Sequence, residues 1–130
     1  MERIEKSESE WRAELTDEQF AVLRRGATEP PFSSYLDDVD QPGTYHCAGC
    51  GAELFDSESR YEPDSGWPAF SAPAAEDAVE EEPDTDHGIV RTEALCARCG
   101  GHLGHVFPDG PAPAGLRYCV NAAALVLEER

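Results

Sequence analysis

LCARCGGHLGHVF (95–107), followed by the turn PDGPAPAG (108–115) and LRYCVN (116–121), is the stretch whose reading decides the fold. It holds a CxxC pair, Cys96 and Cys99, two of the four histidines, His102 and His105, and a fifth cysteine, Cys119, flanked by Arg117 and Asn121. One half has the residue types to hold a metal, and the other has those for thiol chemistry.

The CxxC pair has a counterpart far upstream. Cys47 and Cys50 in CAGCGAEL match Cys96 and Cys99 in CARCGGHL, both units reading CAxCGxxL. Each is expected to be a short hairpin tip, in which the glycine after the second cysteine (Gly51, Gly100) permits positive φ and lets backbone amides turn toward the sulfurs. Two such tips make one tetrahedral four-thiolate cage, with structural zinc the default occupant. Iron in a rubredoxin-like site is the rival, because a tetrahedral sulfur cage suits either metal. Two disulfides would need an oxidising compartment, and nothing in the sequence marks the chain as secreted.

A chain of 130 residues fits one domain with a modest core, helped by such a staple. The expected division is a disordered N-terminal tail over residues 1–10 and a single domain over residues 11–130. No stretch approaches the roughly 20 apolar residues of a membrane span, and MERIEKSESE lacks the apolar segment of a signal peptide. The expectation is a cytoplasmic monomer without a membrane partner. The net charge of −17, with 27 acidic residues against 10 basic ones and Lys6 the only lysine, repels phosphate backbones and argues against a nucleic-acid partner.

Along the chain, Trp11 to Leu15 has room for a turn of helix. Thr16 and Gln19 form a capping box, Phe20 and Leu23 fall at helical spacing, and Gly26 follows Arg24 and Arg25, which predicts a helix near residues 17–25. Pro30 and Pro31 impose extended backbone on a strap anchored by Phe32 and Tyr35. TYHC, AGCG and AELF read as strand, knuckle, strand. The Gly-Trp-Pro turn brings Trp67, with Phe70 close by, as core filler or as the wall of a shallow apolar pocket. Residues 72–86, with Pro73, Pro83 and the run Glu80, Glu81, Glu82, read as a solvated loop. Alternation from Ile89 to Leu95 predicts a strand entering the second knuckle.

After that knuckle, LGHVF predicts another strand, and periodicity poses a question. His102 and His105 differ by three, so a regular strand would point them to opposite faces. If both serve one site, Gly104 must accompany a bulge or kink. In LRYCVN, a period of two puts Arg117, Cys119 and Asn121 on one face. A guanidinium beside a thiol favours the thiolate, and a nearby histidine supplies a proton. His102 and His105 are the candidate donors, with Asp109 placed to orient one of them. A buried, inert Cys119 and structurally satisfied histidines are the plainer alternatives.

GTYHCAGCGAELF, SGWPAF, HGIVRTEALCARCGGHLGHVFPDGP, GLRYCVN and TEPPF (28–32) resemble, in order over about residues 12–127, the methionine sulfoxide reductase B family. The resemblance implies a mainly β (α+β) protein, two antiparallel sheets around a core with short N-terminal helices, and zinc held by the two CxxC knuckles. It implies reduction of the R epimer of methionine sulfoxide, in oxidised proteins and as the free amino acid. The family's catalytic thiolate falls on Cys119, its histidines on His102 and His105, and its acid on Asp109. Its arginine falls on Arg117, its asparagine on Asn121, and its zinc ligands on Cys47, Cys50, Cys96 and Cys99. The indole that receives the substrate's methyl group falls on Trp67, with Phe70 beside it as a further substrate-binding candidate. Attack by the thiolate would release methionine and leave a cysteine sulfenic acid.

The chain departs from the family pattern at two positions. Where many members carry a resolving cysteine before the Gly-Trp-Pro turn, this chain has Ser65, so regeneration is expected from outside, by a thioredoxin-like protein, a glutaredoxin or a small thiol. Ala122 stands where serine is common after the asparagine, removing one possible hydroxyl contact. A metal-stapled binding module and a rubredoxin-like electron carrier are the competing classes. The first leaves the Arg117/Cys119/Asn121 face unexplained, and the second requires iron and a red protein. The acidic, lysine-poor composition also suggests a salt-rich cytoplasm, where screening relieves self-repulsion. Stability against urea should then rise from low to molar potassium chloride; equal stability throughout would remove the halophilic reading.

Overall fold

The sulfur-bearing hairpin tips organise two sheets. In a computed structural model, which describes residues 4–28, 42–61, 67–75, 77–84, 91–111 and 115–129, strands β1 (Gly43–Cys47), β2 (Glu53–Asp56) and β9 (Leu125–Glu129) form one antiparallel sheet in the order β2-β1-β9. The other runs β3 (Arg60–Tyr61), β4 (Ala69–Phe70), β8 (Arg117–Val120), β7 (His102–Phe107), β6 (Arg91–Cys96) and β5 (Val79–Asp84), in that spatial order and again antiparallel. The first knuckle joins β1 to β2 and the second joins β6 to β7, one in each sheet. The mainly β architecture with two sheets and short N-terminal helices is the expected one.

Between the sheets lies an aromatic core. Phe55 of β2 stacks on Phe70 of β4 with ring centroids 4.3 Å apart, and Tyr45 of β1 meets the same Phe70 edge-on at 5.0 Å. Phe70 is 0% exposed. The expectation that it contacts substrate is therefore corrected: it is core, packed against Phe55 and Tyr45 in the seam between the sheets.

Two helices close one end. α1 (Glu8–Glu14) starts from a capping box of Ser7 and Glu10, and α2 (Asp17–Arg25) from the predicted box of Thr16 and Gln19 before ending on left-handed Gly26. Trp11 and Leu23 join the core, and the Arg24 guanidinium donates to the Cys99 carbonyl at 3.0 Å, so the helices cap the second knuckle. Residues 4–10 depart from the expected disordered tail. Helix α1 begins at Glu8, and the Ile4 amide donates to the Arg98 carbonyl. Charge alone suggested fraying, whereas the cap and Trp11 anchor the segment. None of the described helices is long and apolar enough to cross a membrane.

The acidic stretch read as a loop is also different: Val79–Asp84 pairs with all six residues of β6 as an edge strand. Its Glu80, Glu81 and Glu82 place charge on an edge, a device that discourages further strand pairing, and the ladder outweighs the poor β propensity of glutamate. The strap at Pro30–Tyr35 lies outside the described residues.

Strands β7 and β8 touch most closely at Gly104, which pairs with Val120. A Cβ on Gly104 would lie 1.9 Å from the Cys119 carbonyl oxygen. Gly104→Ala should therefore force the two strands apart and cost about 3 kcal/mol, read as a lower urea midpoint.

Candidate functional site

The bulge that the histidine spacing demanded is present. Ala94 pairs with Gly104 and Leu95 with His102, so Leu103 is the extra residue on β7. Its carbonyl accepts both the backbone amide and the side-chain amide of Asn121, the latter at 3.0 Å, which fixes the irregularity. His102 and His105 consequently meet on one side, their ring centroids 5.5 Å apart.

Across the ladder His105 is the register partner of Cys119, which in turn pairs with Ala69 of β4. The Val120 amide donates to the Pro68 carbonyl, carrying Trp67 to the same place. A cavity of about 110 Å³ results, lined among others by Trp67, His105, Phe107, Cys119 and Asn121. Arg91 and Thr28 contribute to its wall, and neither stood out in the sequence. His102 lies behind the lining, with its Nε2 buried and without a hydrogen-bond partner. Ala122 is buried in the core, and Ser65 lies outside the described residues.

Electrostatic partners differ from those expected. Among the described residues Asp109 meets no histidine; its carboxylate takes two hydrogen bonds from Arg117, at 2.8 and 3.2 Å. That pairing holds the Asp109 carboxyl below the usual carboxylate range and raises Arg117. The Arg117 guanidinium lies 4.3 Å from the Phe107 ring centroid, placing the cation beside the cavity. The histidines are instead met by carboxylates the sequence left unassigned: Glu93 bonds His102 Nδ1 at 2.6 Å, and Asp84 bonds His105 Nε2 at 2.8 Å.

The other sulfurs lie elsewhere. Cys47, Cys50, Cys96 and Cys99 bring their Sγ atoms within 4.8 Å of one another, a possible metal site formed by the two knuckles. Cys47 and Cys99 are 3.7 Å apart, Cys50 and Cys96 3.6 Å, contacts between thiols and not disulfides. Gly51 and Gly100 both take positive φ, 79° and 74°, and their amides close each tip onto the carbonyls of Cys47 and Cys96.

Comparison with known proteins agrees with this arrangement. The profile of the SelR domain matches residues 15–129. The chain belongs to the methionine sulfoxide reductase B family, the SelR-domain proteins. It is similar to the peptide methionine sulfoxide reductase MsrB of Bradyrhizobium diazoefficiens, 56% identical over 129 residues, covering 99% of this chain and 93% of that protein. The MsrB of Pseudomonas fluorescens is 52% identical over all 130 residues and 99% of its own length. That of Leptospira interrogans is 50% identical over 126 residues, or 97% and 96% of the two chains. The match spans both knuckles, the bulged β7 and the Cys119 strand, the parts that build the family's fold.

Burial pushes the His102 imidazole below its ordinary value, and the Glu93 hydrogen bond opposes this to a lesser extent. The folded protein then binds that proton less readily than the unfolded chain, so this group's contribution is present above its ordinary value of 6.5 and lost as pH falls below it. The urea midpoint should fall between about pH 7.5 and about pH 5.5, and His102→Asn should flatten that slope; an equal slope in the variant would exclude His102 as its source.

Proposed function

We propose that this chain is a peptide-methionine (R)-S-oxide reductase that uses Cys119 as its nucleophile and His105 as its proton donor. One observation carries the reading: Cys119 and His105 are register partners across β7 and β8, inside a cavity walled by Trp67 and Phe107. At about 110 Å³ the cavity is smaller than the several hundred of a whole-ligand pocket. It suits the methyl-sulfinyl end of a side chain, with the methyl against the indole and the rest of an oxidised protein or free amino acid outside. Relatives named as methionine sulfoxide reductases, similar over the whole chain, support the same substrate.

The Cys119 thiolate bonds to the sulfoxide sulfur while His105 protonates the oxygen. Oxygen then passes to the cysteine, giving methionine and a sulfenic acid; the sulfoxide sulfur is reduced by two electrons and the thiol oxidised by two. Arg117, tied to Asp109 and laid over Phe107, favours the anionic sulfur beside it. Asn121 holds the bulge that presents the histidines, a positioning role. With four of the five cysteines gathered in one cluster, two equivalents of an external thiol, or a thioredoxin-like protein, would return Cys119 to the thiolate with release of water.

The cluster fits zinc. Tetrahedral ligation with zinc–sulfur bonds near 2.3 Å sets sulfurs about 3.8 Å apart, close to the 3.6 and 3.7 Å observed. Four protein ligands leave no open position, so the ion would be structural and its binding energy would be folding energy.

Turnover of separated R and S epimers with dithiothreitol is the deciding assay. The R epimer alone should be reduced, and Cys119→Ser should abolish activity without changing zinc content; turnover by Cys119→Ser would end this mechanism. Mass spectrometry should find about one zinc per chain and, after one turnover without reductant, one oxygen on Cys119. Cys50→Ser should lose the metal and unfold, whereas a stable, fully active metal-free variant would contradict the structural role.

A further inference from the structure

Behind His105 stands a half-buried carboxylate that neither the local sequence pattern nor the proposed chemistry uses. Asp84, the last residue of edge strand β5, and His105 both have side chains 12% exposed, and Asp84 Oδ2 meets His105 Nε2 at 2.8 Å. The same oxygen takes a hydrogen bond from Arg91 at 3.2 Å, which compensates a carboxylate removed from water. The strand order brings them together, since Asp84 pairs with Arg91 on β6 and Glu93 of β6 pairs with His105 on β7.

This arrangement divides the ring nitrogens. A carboxylate accepts, so Nε2 of His105 carries its proton toward Asp84, and the tautomer of an imidazole is set by the bond its other nitrogen makes. Nδ1 is the nitrogen left for the cavity that His105 lines. We propose that Asp84, braced by Arg91, is a positioning residue for the reductase reaction: it tethers Nε2 of His105 so that Nδ1 presents the proton to the substrate oxygen beside Cys119.

The proposal rests on the reading of His105 as the donor. In the step concerned, the Nδ1–H bond of the imidazolium breaks and an O–H bond forms on the sulfoxide oxygen as the Cys119 sulfur bonds to the sulfoxide sulfur. That proton ends on the sulfenic acid, the Nε2 proton stays on Nε2, hydrogen-bonded to Asp84, and solvent recharges Nδ1. Among the described residues, the groups facing His105 are Asp84 from β5, Arg91 and Glu93 from β6, His102 on its own strand and Cys119 from β8, with the Arg117–Asp109 pair beyond Phe107. Of these, Asp84 is the one whose carboxylate bonds Nε2 of His105 directly, so its loss should release the tautomer.

The test uses the full zinc-loaded chain with a peptide carrying methionine-R-sulfoxide and dithiothreitol. Asp84→Asn should lower kcat about tenfold or more and leave KM within about twofold, while Asp84→Glu recovers part of the rate. Nitrogen NMR of the imidazoles should find neutral His105 in the Nε2–H form in the native protein and in both forms in Asp84→Ala, with the melting temperature reporting any loss of fold. Unchanged kcat in Asp84→Asn, or an unchanged tautomer in Asp84→Ala, would overturn the tether. A native protein that leaves the sulfoxide intact while its tautomer depends on Asp84 would overturn the reductase reading and keep the tether.

Discussion

Four sulfurs drawn to within 4.8 Å of one another are the constraint on which the remaining structure depends. One pair sits at the tip between β1 and β2 and the other at the tip between β6 and β7, so the cluster ties the three-stranded sheet to the six-stranded one. The tips are held as rigid turns by positive-φ glycines and by amide bonds to the Cys47 and Cys96 carbonyls. A small domain buries a limited fraction of its surface, so a clamp between its layers supplies what the aromatic seam of Tyr45, Phe55 and Phe70 alone would leave marginal.

The clamp also sets where β7 starts. Cys99 is three residues before His102, so fixing the knuckle fixes the strand's origin, and the bulge at Leu103 then turns two histidines to one side. Gly104 lets the Cys119 strand pass close enough for His105 and Cys119 to pair. The cavity and the sulfur cluster are thus separate but mechanically linked: one hairpin carries cluster ligands at its tip and the imidazoles along its second strand.

The cavity's electrostatics are organised in pairs. Arg117 is matched by Asp109, His102 by Glu93, and His105 by Asp84 with Arg91. In a chain of net charge −17, these carboxylates hold the guanidinium and the two imidazoles in place around the cavity. Among the described residues, Nε2 of His102 at the rear of the site and Nε of Arg91 in the cavity wall are buried without a hydrogen-bond partner.

Local spacing in the sequence was enough for the knuckles, the capping box at Thr16, the strand-knuckle-strand units, the need for a bulge between His102 and His105, and the cluster of four cysteines. Each follows from a period or a turn that a few consecutive residues define. Which carboxylate meets which histidine, that Phe70 belongs to the core, and that the acidic stretch 79–84 is a strand were decided by the tertiary structure. Those facts depend on the register between β5, β6 and β7, and with 27 acidic residues in the chain no spacing rule singles out Asp84 or Glu93. Asp109 is nearest in sequence to the histidines, yet strand pairing gave it to Arg117, because a contact across a sheet is set by alignment of distant segments and not by proximity along the chain.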